Sequence, residues 1–309
     1  MRRSLILTAC AVVVLGVALA PAASATVEQE PVCTVNGTPT RGIDKGDHFD
    51  IEGTPANDVI KCHVTDLNDG EESVIVYAGD GDDDVFFGGV YPAQKDGPPD
   101  TINLGAGNDT FSSIVDTRAA NLGIVNGDDG DDTITLGREG YDFGAHGNDG
   151  EIHGGAGNDA LTLYGGNATD NVNIANAGTG IVTGDAGDDT IILQGGRSGN
   201  TKCGDAANSG TVDGGEGADK ITLTGGEPRL ETCDTATGEA NGNDVADPEL
   251  AGKVLGGPGL DTITLIGGRN SDTGRQAPSN DEEGQVDGGA DGATCVFSPE
   301  SIGEVANCS

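Results

Sequence analysis

The sequence predicts an all-β protein, a parallel β-solenoid of stacked glycine- and aspartate-rich repeats with insertions on one side. Three observations predict it. A Gly-Gly-x-Gly-x-Asp hexad recurs along the chain, a short strand of alternating apolar and polar residues follows each copy, and no segment after Ala25 keeps a helical apolar period. The composition is extreme: 309 residues, 54 of them Gly, with 52 Asp and Glu against 15 Lys and Arg, a net charge of −37 and no Trp. Fifteen scattered cations supply no basic patch for nucleic acid or an anionic membrane. The glycines follow no every-third-residue spacing, which excludes collagen. A chain this acidic and this poor in apolar residues is expected to stay disordered unless something neutralises its charge.

The first element is an address. Met1-Arg2-Arg3 is a positive start, Leu5 to Ala20 an apolar run, and Ala23-Ser24-Ala25 a small-residue cleavage site, so residues 1–25 read as a signal peptide and the mature chain as extracellular. No later apolar stretch is long enough to span a bilayer. Removing Arg2 and Arg3 leaves 13 basic residues and a charge of −39. Export also bears on the cysteines. Six remain, and neighbour pairing (Cys33–Cys62, Cys203–Cys233, Cys295–Cys308) closes three local loops out of 15 formal connectivities. A metal role for them is disfavoured, because no pair has the C-x-x-C spacing.

The repeat comes next. Gly154 to Asp159, Gly214 to Asp219 and Gly256 to Asp261 match the hexad in full; Ala78 to Asp83, Leu104 to Asp109, Gly127 to Asp132 and Gly184 to Asp189 keep its fourth-position Gly and sixth-position Asp. The aspartates lie 26, 23, 27, 30, 30 and 42 residues apart. Gly53 to Asp58 is a weaker copy, and Gly288 to Ala293 loses both key positions. A β-branched residue stands two positions before each loop, from Ile51 and Val76 to Val254 and Val286. The strand after each Asp alternates: Thr133-Ile134-Thr135-Leu136 puts Ile134 and Leu136 on one face and the threonines on the other. No unit can bury two or three aliphatics alone, but units stacked at about 4.8 Å can, and eight or nine of them make a slab about 40 Å long. The chain divides into the signal peptide (1–25), an N-terminal cap with a degenerate first repeat (26–75), the repeats (76–285) and a C-terminal cap (286–309).

Loop chemistry then points to a cation. Glycines at positions one, two and four allow φ > 0 and let the backbone turn carbonyls inward, and the Asp adds a carboxylate. Oxygen-only donors suit Ca²⁺, which takes 6–8 of them. Position five adds polar groups at Asp82, Asn108, Asp131, Asn158 and Asp188. Seven Ca²⁺ would bring the mature charge from −39 to −25.

The hexad with its apolar residue two positions on resembles the haemolysin-type, or RTX, calcium-binding nonapeptide. The resemblance covers most of residues 50–295 and implies a parallel β-roll that folds as several calcium ions fill its loops. On this chain it assigns as metal ligands Asp83, Asp109, Asp132, Asp159, Asp189, Asp219 and Asp261, with Gly81, Gly107, Gly130, Gly157, Gly187, Gly217 and Gly259. The apolar positions are Val85, Phe111, Ile134, Leu161, Ile191, Ile221 and Ile263. This chain departs from the family in alternating good and degraded copies, the latter around Asp170 and Asp272. That alternation suggests two turn columns, one for calcium and one carrying insertions.

Other readings are weaker. Asp58, Asp170 and Asp272 read as turns without an ion, and Asp291 as a cap residue. His48, His63, His146 and His153 read as solvated. Neither H-E-x-x-H nor G-x-S-x-G occurs, and the repeats occupy the length a catalytic domain would need, so no enzyme is expected. The alternatives are a polysaccharide-acting solenoid enzyme using the Gly225–Gly252 insertion, or an ice- or glycan-binding threonine face, which Phe86 and Phe111 are expected to interrupt. The expected partners are calcium ions and a cell surface, matrix or glycan.

Overall fold

The computed structural model describes residues 32–63, 73–90, 97–114, 119–138, 146–167, 173–196, 206–227, 239–244, 247–269, 274 and 276–309. The expected signal peptide, Cys203, Cys233, Asp170, Asp272 and residues 228–238 and 245–246 of the Gly225–Gly252 insertion lie outside them.

The described chain is a β-solenoid without helix. Each coil contributes one strand to a back sheet, turns through the hexad, and contributes a second strand to a front sheet. Glu151–Ala156 and Ala160–Tyr164 are one such pair. Both sheets have eleven strands, parallel from coil to coil and closed by antiparallel strands at the N-terminal end. In the back sheet Ile152 lies between Val125 and Val182; in the front sheet Leu161 lies between Ile134 and Ile191. Like residues stack on like because the repeat keeps register, which makes insertions between coils harmless to the ladder.

Alternation decides what is inside. All nine β-branched residues before the hexads and all seven apolar residues after them are at most 2% exposed. Leu136, Leu163, Leu193, Leu223 and Leu265 add a third inward column. Burying each such side chain contributes about 1.5–3 kcal/mol. Three of them per coil therefore hold a coil to its neighbours, while none could hold it alone.

A third corner was not foreseen. Between the insertion and the next back strand, Asn121, Asn148, Asn176, Asn208, Asn241 and Asn280 stack in single-residue bridges and are fully buried. Each side-chain amide donates to the next Asn Oδ1 at 2.8–2.9 Å, from Asn121→Asn148 through Asn241→Asn280. The coil thus has three sides rather than two turn columns. The signal was present in the sequence as Ala-Asn or Gly-Asn ahead of most back strands, hidden among other loop asparagines.

Among the described residues two disulfides close the ends. Cys33 and Cys62 face each other across an antiparallel pair, and Cys295–Cys308 ties the last front strand to the C-terminus. Such bonds belong to an oxidising environment. The first closes a 29-residue separation, so its reduction is expected to cost about 3–4 kcal/mol, measured by denaturant unfolding with and without reductant at fixed calcium. No helix among the described residues is long and apolar enough to cross a membrane.

Candidate metal centre

The turn between the sheets is shaped by three glycine roles, only two of them conformational. Positions two and four take φ > 0: Gly155 and Gly157 lie at 109° and 146°, and Gly81, Gly107, Gly130, Gly187, Gly217 and Gly259 lie between 113° and 154°. Position four also stacks closely, since a Cβ at Gly130, Gly157, Gly187, Gly217 or Gly259 would run into the carbonyl of the equivalent glycine one coil earlier. Position one differs from the expectation. Gly127, Gly154, Gly184, Gly214 and Gly256 do not need φ > 0; they are there for space. A Cβ built on Gly154 would lie 2.5 Å from Asp159 Oδ2 and 2.6 Å from the Gly184 carbonyl oxygen. The same two kinds of oxygen, the turn's own carboxylate and the next coil's carbonyl, converge at Gly127, Gly184, Gly214 and Gly256.

All seven expected aspartates stand in one column, and that column faces inward. Asp83, Asp109, Asp132, Asp159, Asp189, Asp219 and Asp261 are 1–2% exposed. Alternation requires this, because Asp159, Leu161 and Leu163 share one side of the strand. Each Oδ1 accepts the backbone N–H of the Asp one coil earlier, at 2.7–3.0 Å, beginning with Asp58 N–H to Asp83 and ending with Asp219 N–H to Asp261. Each Oδ2 is buried without a hydrogen-bond partner. Asp58 behaves differently: its carboxylate accepts from the Thr54 N–H and the Asn36 amide. At the far end Ala293 takes the Asp position, and Asp291 is exposed in the capping turn.

Burial dominates the electrostatics. It pushes Asp132 and Asp189 up to about 7 and Asp109 and Asp219 up to about 6, and it raises Asp83, Asp159 and Asp261 as well. The ladder N–H opposes the shift, and neighbouring carboxylates add to it. A buried carboxylate oxygen with no donor favours either a proton or a cation.

Position five does not join this interior. Asp82, Asn108, Asp131, Asn158 and Asp188 are exposed and form an outer ladder running in the opposite sense, each Oδ1 accepting the N–H of position five one coil later at 2.7–3.0 Å. Their expected part in a cation site is therefore not supported by placement. Among the described residues no three His, Cys, Asp or Glu side chains gather at one point. A cation at the column would meet one carboxylate per turn and complete its shell from carbonyl oxygens and water. That donor set, oxygen alone, fits a hard cation such as Ca²⁺.

The remaining readings changed in detail. Phe111 is fully buried and does not interrupt the outer face. Phe86 does interrupt it, as expected, with Ile192 in the same row, and Ala160 and Lys220 break the other row. His48, His146 and His153 are partly buried rather than free in solvent: His48 pairs with Asp47 and Asp50, His146 Nδ1 accepts the Ile174 N–H, and His153 lies between Glu151 and Asp185. No protein-family model matches this chain, and no curated protein matches it.

Proposed function

We propose that this is a secreted calcium-binding β-solenoid whose ions are structural, held along the inner aspartate column and coupled to folding. One observation carries the reading: in the five turns from Asp132 to Asp261 a buried carboxylate oxygen without a donor converges with the next coil's carbonyl oxygen beside a glycine. At Asp58, in the first and weaker copy, the chain supplies N–H groups to the carboxylate instead. Asp132, Asp159, Asp189, Asp219 and Asp261 would hold ions with the carbonyl oxygens of the following coils. Bound calcium supplies positive charge that offsets carboxylate burial. With a single carboxylate per site, affinity is expected in the range of extracellular modules, roughly 10⁻⁴–10⁻³ M. Binding would then follow export, and the task of the folded rod would be at a cell surface, matrix or glycan.

Titrating calcium into metal-free protein, with far-UV circular dichroism and heat recorded together, tests the proposal. A cooperative gain of β-structure with several ions bound is expected; a folded, calcium-indifferent chain would remove it. Asp159→Asn sharpens the test. The amide keeps the Oδ1 acceptor for Asp132 N–H but removes the charge. It is expected to stabilise the protein in chelator and to destabilise it in saturating calcium, a reversal that a purely structural hydrogen-bond ladder would not give.

A further inference from the structure

We infer that the seven aspartate turns are of two kinds: the five from Asp132 to Asp261 take a cation, and those at Asp83 and Asp109 fold without one. This rests on the calcium reading above and divides its sites. The difference lies in the first residue of the hexad. At Gly127, Gly154, Gly184, Gly214 and Gly256 no side chain stands where Oδ2 and the next coil's carbonyl converge. Ala78 and Leu104 hold the equivalent positions of the first two turns, and both are fully buried in the core. There a methyl and an isobutyl group take up the interior that is bare in the later coils. A cation placed beside them would exchange oxygen ligands for hydrocarbon, and its charge would be desolvated without compensation.

The same two coils have another source of stability. Phe87 and Phe111, the two largest fully buried side chains among the described residues, belong to the front strands that follow Asp83 and Asp109. The coil before them carries the Asp58 carboxylate satisfied by N–H donors and the Cys33–Cys62 disulfide. From the N-terminus the interior is therefore closed first by hydrogen bonds, then by side chains, then by cations. The early coils form a cation-independent template on which the later, cation-requiring coils stack.

Counting bound calcium by equilibrium dialysis tests the division, using the purified protein and its Asp→Asn variants. The unsubstituted protein is expected to bind five ions. Asp83→Asn and Asp109→Asn should leave that number unchanged, while Asp159→Asn and Asp189→Asn should lower it. Ala78→Gly, which empties the interior beside Asp83, should add one. Binding of seven ions, or loss of an ion in Asp83→Asn or Asp109→Asn, would overturn the division and leave the calcium reading standing. No calcium bound by the unsubstituted protein would instead remove the calcium reading itself.

Discussion

Held in chelator at low ionic strength, the protein is expected to keep its β-sheet signal at pH 5 and to lose most of it as the pH rises to 8. The inner aspartates dictate the sign. Their folded-state values, about 6 for Asp109 and Asp219 and about 7 for Asp132 and Asp189, lie above the ordinary 3.8. The metal-free fold therefore binds more protons than the unfolded chain. Its stability is fully present below about pH 4 and is lost as the pH climbs through 6 to 7. All four groups act in the same direction, against a whole-domain stability of only roughly 5–15 kcal/mol. Self-repulsion of a chain at −37 acts in the same direction. Saturating calcium should abolish the loss at pH 8, and acid should then weaken the fold, because protons compete for the ligand oxygens. Circular dichroism against pH, with and without calcium, reads both limbs. A chelated protein equally stable at pH 5 and pH 8 would contradict the burial of these carboxylates.

The second large effect is expected at the opposite corner. Asn176→Ala should cost about 3–5 kcal/mol, measured by denaturant unfolding in saturating calcium. Asn176 Nδ2 donates to Asn208 Oδ1 at 2.8 Å and to the Gly180 and Thr211 carbonyls at 3.1 Å, and its Oδ1 accepts from Asn148 at 2.9 Å. Truncation strips partners from all four groups inside a fully buried ladder. The number of calcium ions bound by the folded variant should not change, because the ladder is a separate corner of the coil. A cost below about 1 kcal/mol would mean that the neighbouring coils or water replace the lost bonds.

What the sequence disclosed follows from how each feature is encoded. The inward columns were legible because period two fixes the face of every strand residue: Ile152, Leu161 and Leu163 could be placed inside without coordinates. The aspartate column was legible as a set of residues but not as an interior one. Reading Asp159 as part of the turn hid the fact that it begins the strand alternation and so shares the face of Leu161. The role of Gly154 was misread for a related reason, since glycine permits both positive φ and close approach, and only the fold shows which is used. The asparagine ladder was missed because its spacing is set by insertions of variable length, so its members do not stand at a constant offset from the hexads. Pairing of Cys33 with Cys62 and of Cys295 with Cys308 was legible from locality.

Anomalous diffraction from crystals grown in calcium tests the central claim most directly, because it locates the ions themselves. Peaks are expected inside the solenoid, each beside the free carboxylate oxygen of Asp132, Asp159, Asp189, Asp219 or Asp261 and the carbonyl of the next coil's first hexad residue. An interior without peaks, or peaks confined to the exposed outer ladder of Asp82, Asp131 and Asp188, would contradict it.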